Sequence, residues 1–299
     1  VDQSYYKYFF STRHLAAGIL LFVLGIAGVS CQNTADTDTL EPSDWKLGVQ
    51  AWTFHKTTFA EALDKIDSTG AKYIEGFPGQ EIGSDIDGKL DYRTMDGDKK
   101  EAVKELLEEH DLEMVSYGVV VPETEDDWKQ LFEFADVMGL DNIAAEPKED
   151  HLSLISDLAD EYGINVAIHT HPNPSHYWDP DILLSAIEGQ SSRIGAAADV
   201  GHWQRSGLDP VESMKKLDGH IKEFHMKDLN KKNDESAHDV PWGTGVNDIE
   251  GIMKEMKRQN FKGYVFVEYE YNWGENVPDV KKSIEYFRKK KQELLGDED

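Results

Sequence analysis

Residues 194–202 read Ile-Gly-Ala-Ala-Ala-Asp-Val-Gly-His, and residues 221–228 read Ile-Lys-Glu-Phe-His-Met-Lys-Asp. Each is a short run that closes on a metal-competent or titratable side chain. Side chains alternate faces along an extended chain. Asp199 therefore shares a face with Gly195 and Ala197, small residues that suit a crowded interior. His225 shares a face with Lys227, while Phe224 and Met226 point the other way, toward a layer of helices. Both segments read as strands of a parallel sheet whose polar ends gather at one rim.

The same pattern extends in both directions. Eight strand candidates are Leu47–Trp52, Lys72–Phe77, Glu113–Val119, Asn142–Glu146, Asn165–Thr170, Ile194–Asp199, Ile221–Met226 and Tyr264–Tyr269. Their starts lie about 23 to 43 residues apart, room for a strand, a helix and two loops each time. Helix starts are marked by Asp179-Pro180 and Asp209-Pro210, an N-cap carboxylate before a Pro at the first helical position. Ala102–His110 sets Val103, Leu106 and Leu107 on one face. Eight such units predict closure into one α/β domain, a (β/α)8 TIM barrel over residues 45–296, with a doubly wound open sheet as the alternative. A chain of 299 residues is long enough for it.

Ahead of the barrel the composition changes. Lys7 and Arg13 precede an apolar run from Leu15 to Val29, too short to span a bilayer comfortably but suited to an export signal. Small residues then lead into Cys31, the only cysteine, so residues 1–31 read as a lipoprotein-type signal segment with lipid on Cys31. Gly28 stands where such signals usually carry Leu, Val or Ile, and an uncleaved membrane anchor is the other reading. Either places the domain outside the cytoplasm, in the periplasm or at the cell surface. Residues 32–44 are polar and read as a flexible tether. The formal charge of −27 argues against nucleic acid as a partner, because such binding depends on neutralising phosphates. It also leaves the lipid on Cys31 as the expected membrane contact.

In such a barrel the active site lies at the carboxyl ends of the strands. There the sequence places Glu146, then His169-Thr170-His171, Asp199 with His202, His225 with Lys227, and Glu268 with Glu270. Each has a plainer reading. Glu146, Asp199 or Glu268 could be a helix N-cap. His171, before Pro172-Asn173-Pro174, could brace its loop, Glu270 could be a solvated rim residue, and Glu75 could be a second acid of the site or the partner of a buried Lys. Their joint occurrence on five successive strands favours a site.

At these residues the chain resembles the xylose isomerase-like superfamily, in particular its sugar phosphate isomerase/epimerase group. The markers are Asp199-Val200-Gly201-His202, His225-Met226-Lys227-Asp228, Gly243-Thr244-Gly245, and Gly263 leading into Glu268, within residues 45–290. The resemblance implies one divalent metal ion held by two Glu, one Asp and one His. Three of these map onto Asp199, His225 and Glu268. Many relatives carry a Glu where this chain has His169, so Glu146 is the expected fourth ligand, with His169 as the alternative. Imidazole and carboxylate together suit Mn, Co, Zn or Mg over Ca.

The expected reaction is isomerisation or epimerisation of a neutral sugar or keto-sugar through an enediolate, with Glu146 and Glu268 as the proton-transfer pair. A phosphosugar is not expected, because Arg205 and Lys227 are the only cations placed near the strand ends. Trp52, His169, His171, His202 and Lys227 are expected to contact substrate. His55, His176, Tyr177, Trp178 and Trp242 are expected to help wall it. The rivals are a keto-glycoside lyase or hydrolase using the same enolate, and a lipid-anchored sugar-binding protein without turnover. An apurinic endonuclease shares the fold but not the surface charge its substrate requires.

Overall fold

A computed structural model describes residues 42–296. The signal segment, Cys31 and most of the expected tether lie outside these residues. The end of that tether, Pro42–Asp44, forms one 3-10 turn with Pro42 buried.

Eight parallel strands close into a barrel. They are β1 (Trp45–Gln50), β2 (Tyr73–Gly76), β3 (Glu113–Val120), β4 (Asn142–Ala145), β5 (Asn165–His169), β6 (Ile194–Asp199), β7 (Ile221–Met226) and β8 (Gly263–Val267). Every strand pairs with its sequence neighbours, and β8 returns to β1 with Trp45 opposite Gly263 and Val49 opposite Val267. The expected strands recur within about two residues at either end. The clearest difference is at β1, which stops at Gln50; Ala51–Phe54 turns into a 3-10 helix and carries Trp52 onto the rim.

The outer helices are α1 (Phe59–Thr69), α2 (Gly97–Glu109), α3 (Glu125–Met138), α4 (Leu152–Tyr162), α5 (Pro180–Ala186), α6 (Val200–Arg205), α7 (Pro210–Lys216), α8 (Ile249–Arg258) and α9 (Val277–Leu295). Local chemistry sets their ends. Thr58 with Glu61 and Thr124 with Asp127 form reciprocal capping boxes. Gly70, Gly139 and Gly163 close α1, α3 and α4 in the left-handed region, where a side chain would be strained. Helix α8 buries Ile249, Ile252, Met253 and Met256, the spacing of one helical stripe. No helix among the described residues is long and apolar enough to cross a membrane.

Inside the barrel, Val115, Tyr264 and Phe266 make an apolar floor. Phe266 fits because β1 carries Gly48 opposite it; a Cβ there would lie 2.7 Å from the ring. The interior also holds polar groups. Asn142 donates to Glu223 at 2.8 Å, and Glu75, Ser116 and His225 are fully buried.

Two hairpins escape a reading based on strand runs. Gln80–Gly83 pairs antiparallel with Ile86–Leu90, and Asp228–Leu229 pairs with Asp239–Val240. Both extend the rim at the carboxyl ends of the strands.

Candidate active site

Four side chains converge at the carboxyl end of the barrel: His169 from the end of β5, Asp199 from β6, His225 from β7, and Glu268 immediately after β8. One donor atom from each lies within 4.8 Å of the others, and all four residues are buried. His169 Nε2 is 3.6 Å from Asp199 Oδ2, and His225 Nδ1 is 3.1 Å from Glu268 Oε2. Glu146, the expected fourth ligand, is not among the four. It sits one residue beyond β4 and turns toward β5, where its carboxylate contacts His171 and lies 3.7 Å from His169 Nδ1. His169, the alternative, is the fourth member of that group, and Glu146 forms a second candidate group with His169 and His171.

The donor set passes a physical test for a cation. His169 Nε2 is buried, makes no hydrogen bond among the described residues and lies 3.6 Å from Asp199 Oδ2, while Glu268 Oε2 is ion-paired with Lys227 at 2.7 Å and lies 3.1 Å from His225 Nδ1. Buried polar atoms are ordinarily satisfied, and four buried ligand atoms that converge on one point suit a shared cation. Two imidazoles and two carboxylates suit a divalent transition ion or zinc.

Asp199 does two jobs with its two oxygens. Oδ1 caps α6 by accepting from the His202 backbone N–H at 2.7 Å. Oδ2 faces the cluster, 2.6 Å from Lys227 Nζ and 3.4 Å from His202 Nε2. The residue is thus an N-cap and a member of the cluster at once. Lys227 is buried and also meets Glu268 at 2.7 Å and Glu270 at 3.1 Å. Gly201 lets its stem pass, since a Cβ there would lie 2.6 Å from Lys227 Cβ.

The charges follow from these contacts. Burial would raise the Asp199 carboxyl, but His202, Lys227 and His169 hold it well below the usual carboxylate range. Burial likewise opposes the charge on Glu268, and Lys227 and His225 overcome it. Glu146, despite burial, is held down to about 2 by His169 and His171. Burial carries His202 well below the usual imidazole value, leaving it neutral.

A second ring of residues orients the first. Glu75 Oε2 lies 2.7 Å from His225 Nε2, which holds that nitrogen as an N–H and aims Nδ1 at the cluster. Against burial, Glu75 and Glu268 raise the imidazole well above its usual value, so a metal ion would displace the Nδ1 proton. Glu75 is thus the partner of a histidine and not of a lysine. Gln50 Nε2 approaches its other oxygen at 3.5 Å. Below them burial and the Glu75 charge push Glu223 up to about 8, so it stays protonated near neutral pH. A Glu75→Gln variant is expected to keep the fold but bind zinc about 10- to 100-fold more weakly, as read by chelator competition.

The rim resolves the remaining expectations. Arg205 is buried between Asp239 (3.4 Å) and Glu270 (3.3 Å), and donates to His202 Nδ1 at 3.0 Å. Glu270 is consequently part of the cluster's edge and not a solvated rim group. Trp52 is exposed, stacked on His55 with centroids 4.3 Å apart. His171 lies beside His169 and His202. Trp242 does not wall the site; it is buried against Phe287 of α9. Tyr177 is buried too, its hydroxyl donating to the Pro147 carbonyl at 2.7 Å. His176 pairs with Glu149.

Asp228 explains the glycine marker. Its carboxylate accepts from the backbone N–H groups of Leu229, Gly243, Gly245 and Asn247 at 2.8–3.0 Å. A Cβ on Gly245 would meet Asp228 Oδ1 at 2.3 Å. These residues brace the loop after β7 and take no part in the cluster.

A closed parallel barrel with a four-donor centre at its carboxyl end defines a class of small-molecule barrel proteins. The family described as xylose isomerase-like TIM barrel matches residues 63–290, and the chain belongs to it. An inosose dehydratase of Clostridium perfringens (strain 13 / Type A) is 26% identical over 243 residues, 76% of this chain and 66% of that protein. Inosose dehydratases of Clostridium botulinum and Clostridium beijerinckii match over about half of their length. A crystal structure of a protein from Parabacteroides distasonis ATCC 8503 is 33% identical, with a TM-score of 0.68, covering 82% of this chain and 99% of that one. A D-tagatose 3-epimerase-like protein shares the fold at 18% identity, with a TM-score of 0.66, covering 84% and 98%.

Proposed function

We propose that the protein is a metal-dependent isomerase or epimerase of a neutral sugar or keto-sugar, working by abstraction of the proton α to a carbonyl. The observation that carries this reading is the convergence of four buried ligand atoms at the carboxyl end of the barrel, flanked by ionised carboxylates. A divalent ion bound to His169, Asp199, His225 and Glu268 would supply Lewis-acid stabilisation of the enediolate.

The chain's own residues supply the rest. Glu268, after β8, and Glu146, after β4, stand on opposite parts of the barrel, and each is held ionised by its neighbours. One carboxylate takes the α proton as the C–H bond breaks. A proton is then returned to the neighbouring carbon or to the opposite face, either by that same carboxyl or by solvent relayed past the other carboxylate, so that both end ionised. His171 holds Glu146 in place. Lys227 and neutral His202 donate to sugar oxygens as negative charge develops. Arg205 and Lys227 are both already neutralised by carboxylates, which supports an uncharged substrate over a phosphosugar.

A second reading is elimination: the same enediolate expels a β-leaving group in place of reprotonation. The match to inosose dehydratases favours keeping it. Incubating the zinc- or manganese-loaded protein with a panel of keto- and aldo-sugars in D2O, followed by NMR, tests both. Deuterium at the α position is expected for reprotonation. Loss of water or of an aglycone, with deuterium at the former β carbon once the enol ketonises, marks elimination, and product formed without label overturns proton abstraction.

A further inference from the structure

We propose that the groove between the β1 and β2 loops is a subsite for a second sugar ring, so that the substrate is a neutral glycoside of at least two rings. The proposal deepens the reading above and rests on it for the position of the reacting ring.

The groove, of about 530 Å³, is lined by Trp52, His55, Glu61, Phe77, Gln80 and Lys89 among others. That is within the size range of small-molecule sites. Its wall is a fixed aromatic platform. Trp52 lies flat on His55 at 4.3 Å and meets the edge of Phe77 at 5.1 Å, while His55 abuts Trp273 from the loop after β8. Trp52 remains 37% exposed, in a protein whose other described tryptophans include several fully buried ones. An ordered, half-open indole is suited to stack on the C–H face of a pyranose, which gives apolar contact at low entropic cost.

A second, independent observation points to a polar ligand. Gln80 is only 4% exposed, and its Nε2 donates to the Thr57 carbonyl at 3.1 Å. That bond fixes which end of the amide is which, and Oε1 has no hydrogen-bond partner among the described residues. A buried carbonyl without a donor, on a residue of the same groove as Trp52, matches a hydroxyl donor such as a sugar's. The groove's charges balance, Lys56 and Lys89 against Glu61 and Glu81 with Lys89 3.4 Å from Glu81, which favours an uncharged ligand over a phosphate.

The groove also has the right neighbour. Phe77 is two residues beyond Glu75, the partner of His225. Trp52 follows β1, Phe77 follows β2 and Trp273 follows β8, so the platform stands on the same carboxyl-end rim as the four-donor centre, and a sugar at the centre and one on Trp52 would be units of the same molecule.

The test is a binding series on the full chain with bound zinc: trehalose, cellobiose, maltose, lactose and sucrose against glucose, by saturation-transfer NMR and calorimetry. At least one disaccharide is expected to bind tenfold or more tighter than glucose. Trp52→Ala and Gln80→Met should each weaken it about tenfold, with zinc content and melting temperature unchanged. The proposal is overturned if glucose binds as well as every disaccharide, or if both variants stay within twofold of the parent. Binding of a reducing disaccharide (cellobiose, maltose or lactose) that persists without any α-proton exchange would sink the proton-transfer reading and leave the subsite standing; exchange on monosaccharides without disaccharide preference would do the reverse.

Discussion

Replacing Glu268 by Gln is expected to reduce α-proton exchange by roughly 10²–10⁴-fold, the usual worth of a positioned acid or base. The side chain is buried and held ionised through Oε2 by Lys227 at 2.7 Å and His225 at 3.1 Å. The amide keeps the shape and removes the charge. Because Glu268 is also a candidate ligand, metal affinity should fall with activity. Glu146→Gln separates the two roles. Glu146 stands outside the four-donor cluster, against His171, so its variant should lose exchange on the same scale but still bind one ion per chain. NMR exchange rates beside metal analysis read both. A Glu268→Gln protein that exchanges within tenfold of the parent would remove this carboxylate from the chemistry.

The second large effect is on stability. Lys227 is fully buried and lies within 3.1 Å of three carboxylates, Asp199, Glu268 and Glu270. Their burial is tolerable because one ammonium is shared among them. Lys227→Met should destabilise the metal-free protein by about 3–5 kcal/mol, the cost of stranding buried charge. For a domain of this size that is a drop in melting temperature of roughly 6–20 °C. Zinc should recover part of it, since an ion at 100 times its Kd contributes about 2.7 kcal/mol and itself neutralises Asp199 and Glu268. Scanning calorimetry with EDTA and with zinc checks the pair of values. Equal melting of variant and parent in EDTA would show that the lysine does not hold the carboxylates together.

Much of this arrangement is legible in the chain. Short apolar runs at βα spacing give the barrel, and period-two alternation points Asp199, His225 and Lys227 to one rim, where the structure places them. What cannot be read is set by turns and by long-range partners. Glu146 and His169 each stand at the end of a strand and each is a competent ligand. The choice depends on β4 ending at Ala145, which leaves Glu146 free to swing toward His171. Glu75 looks like any polar residue in a strand; its partner His225 is 150 positions away. Asp228 and the glycines it braces look like a binding motif, and only the four backbone N–H contacts reveal a scaffold. Trp52 and Trp242 are alike as aromatics, and nothing local marks one as rim and the other as core. The rim position of Trp52 follows from the 3-10 turn that ends β1 two residues earlier than the apolar run.

The centre itself can be located directly by anomalous diffraction at the zinc edge from crystals grown with zinc. A single strong peak is predicted about 2.0–2.2 Å from His169 Nε2, Asp199 Oδ2, His225 Nδ1 and Glu268 Oε2. A peak held instead by Glu146 and His171, or no peak inside the barrel mouth, would contradict it.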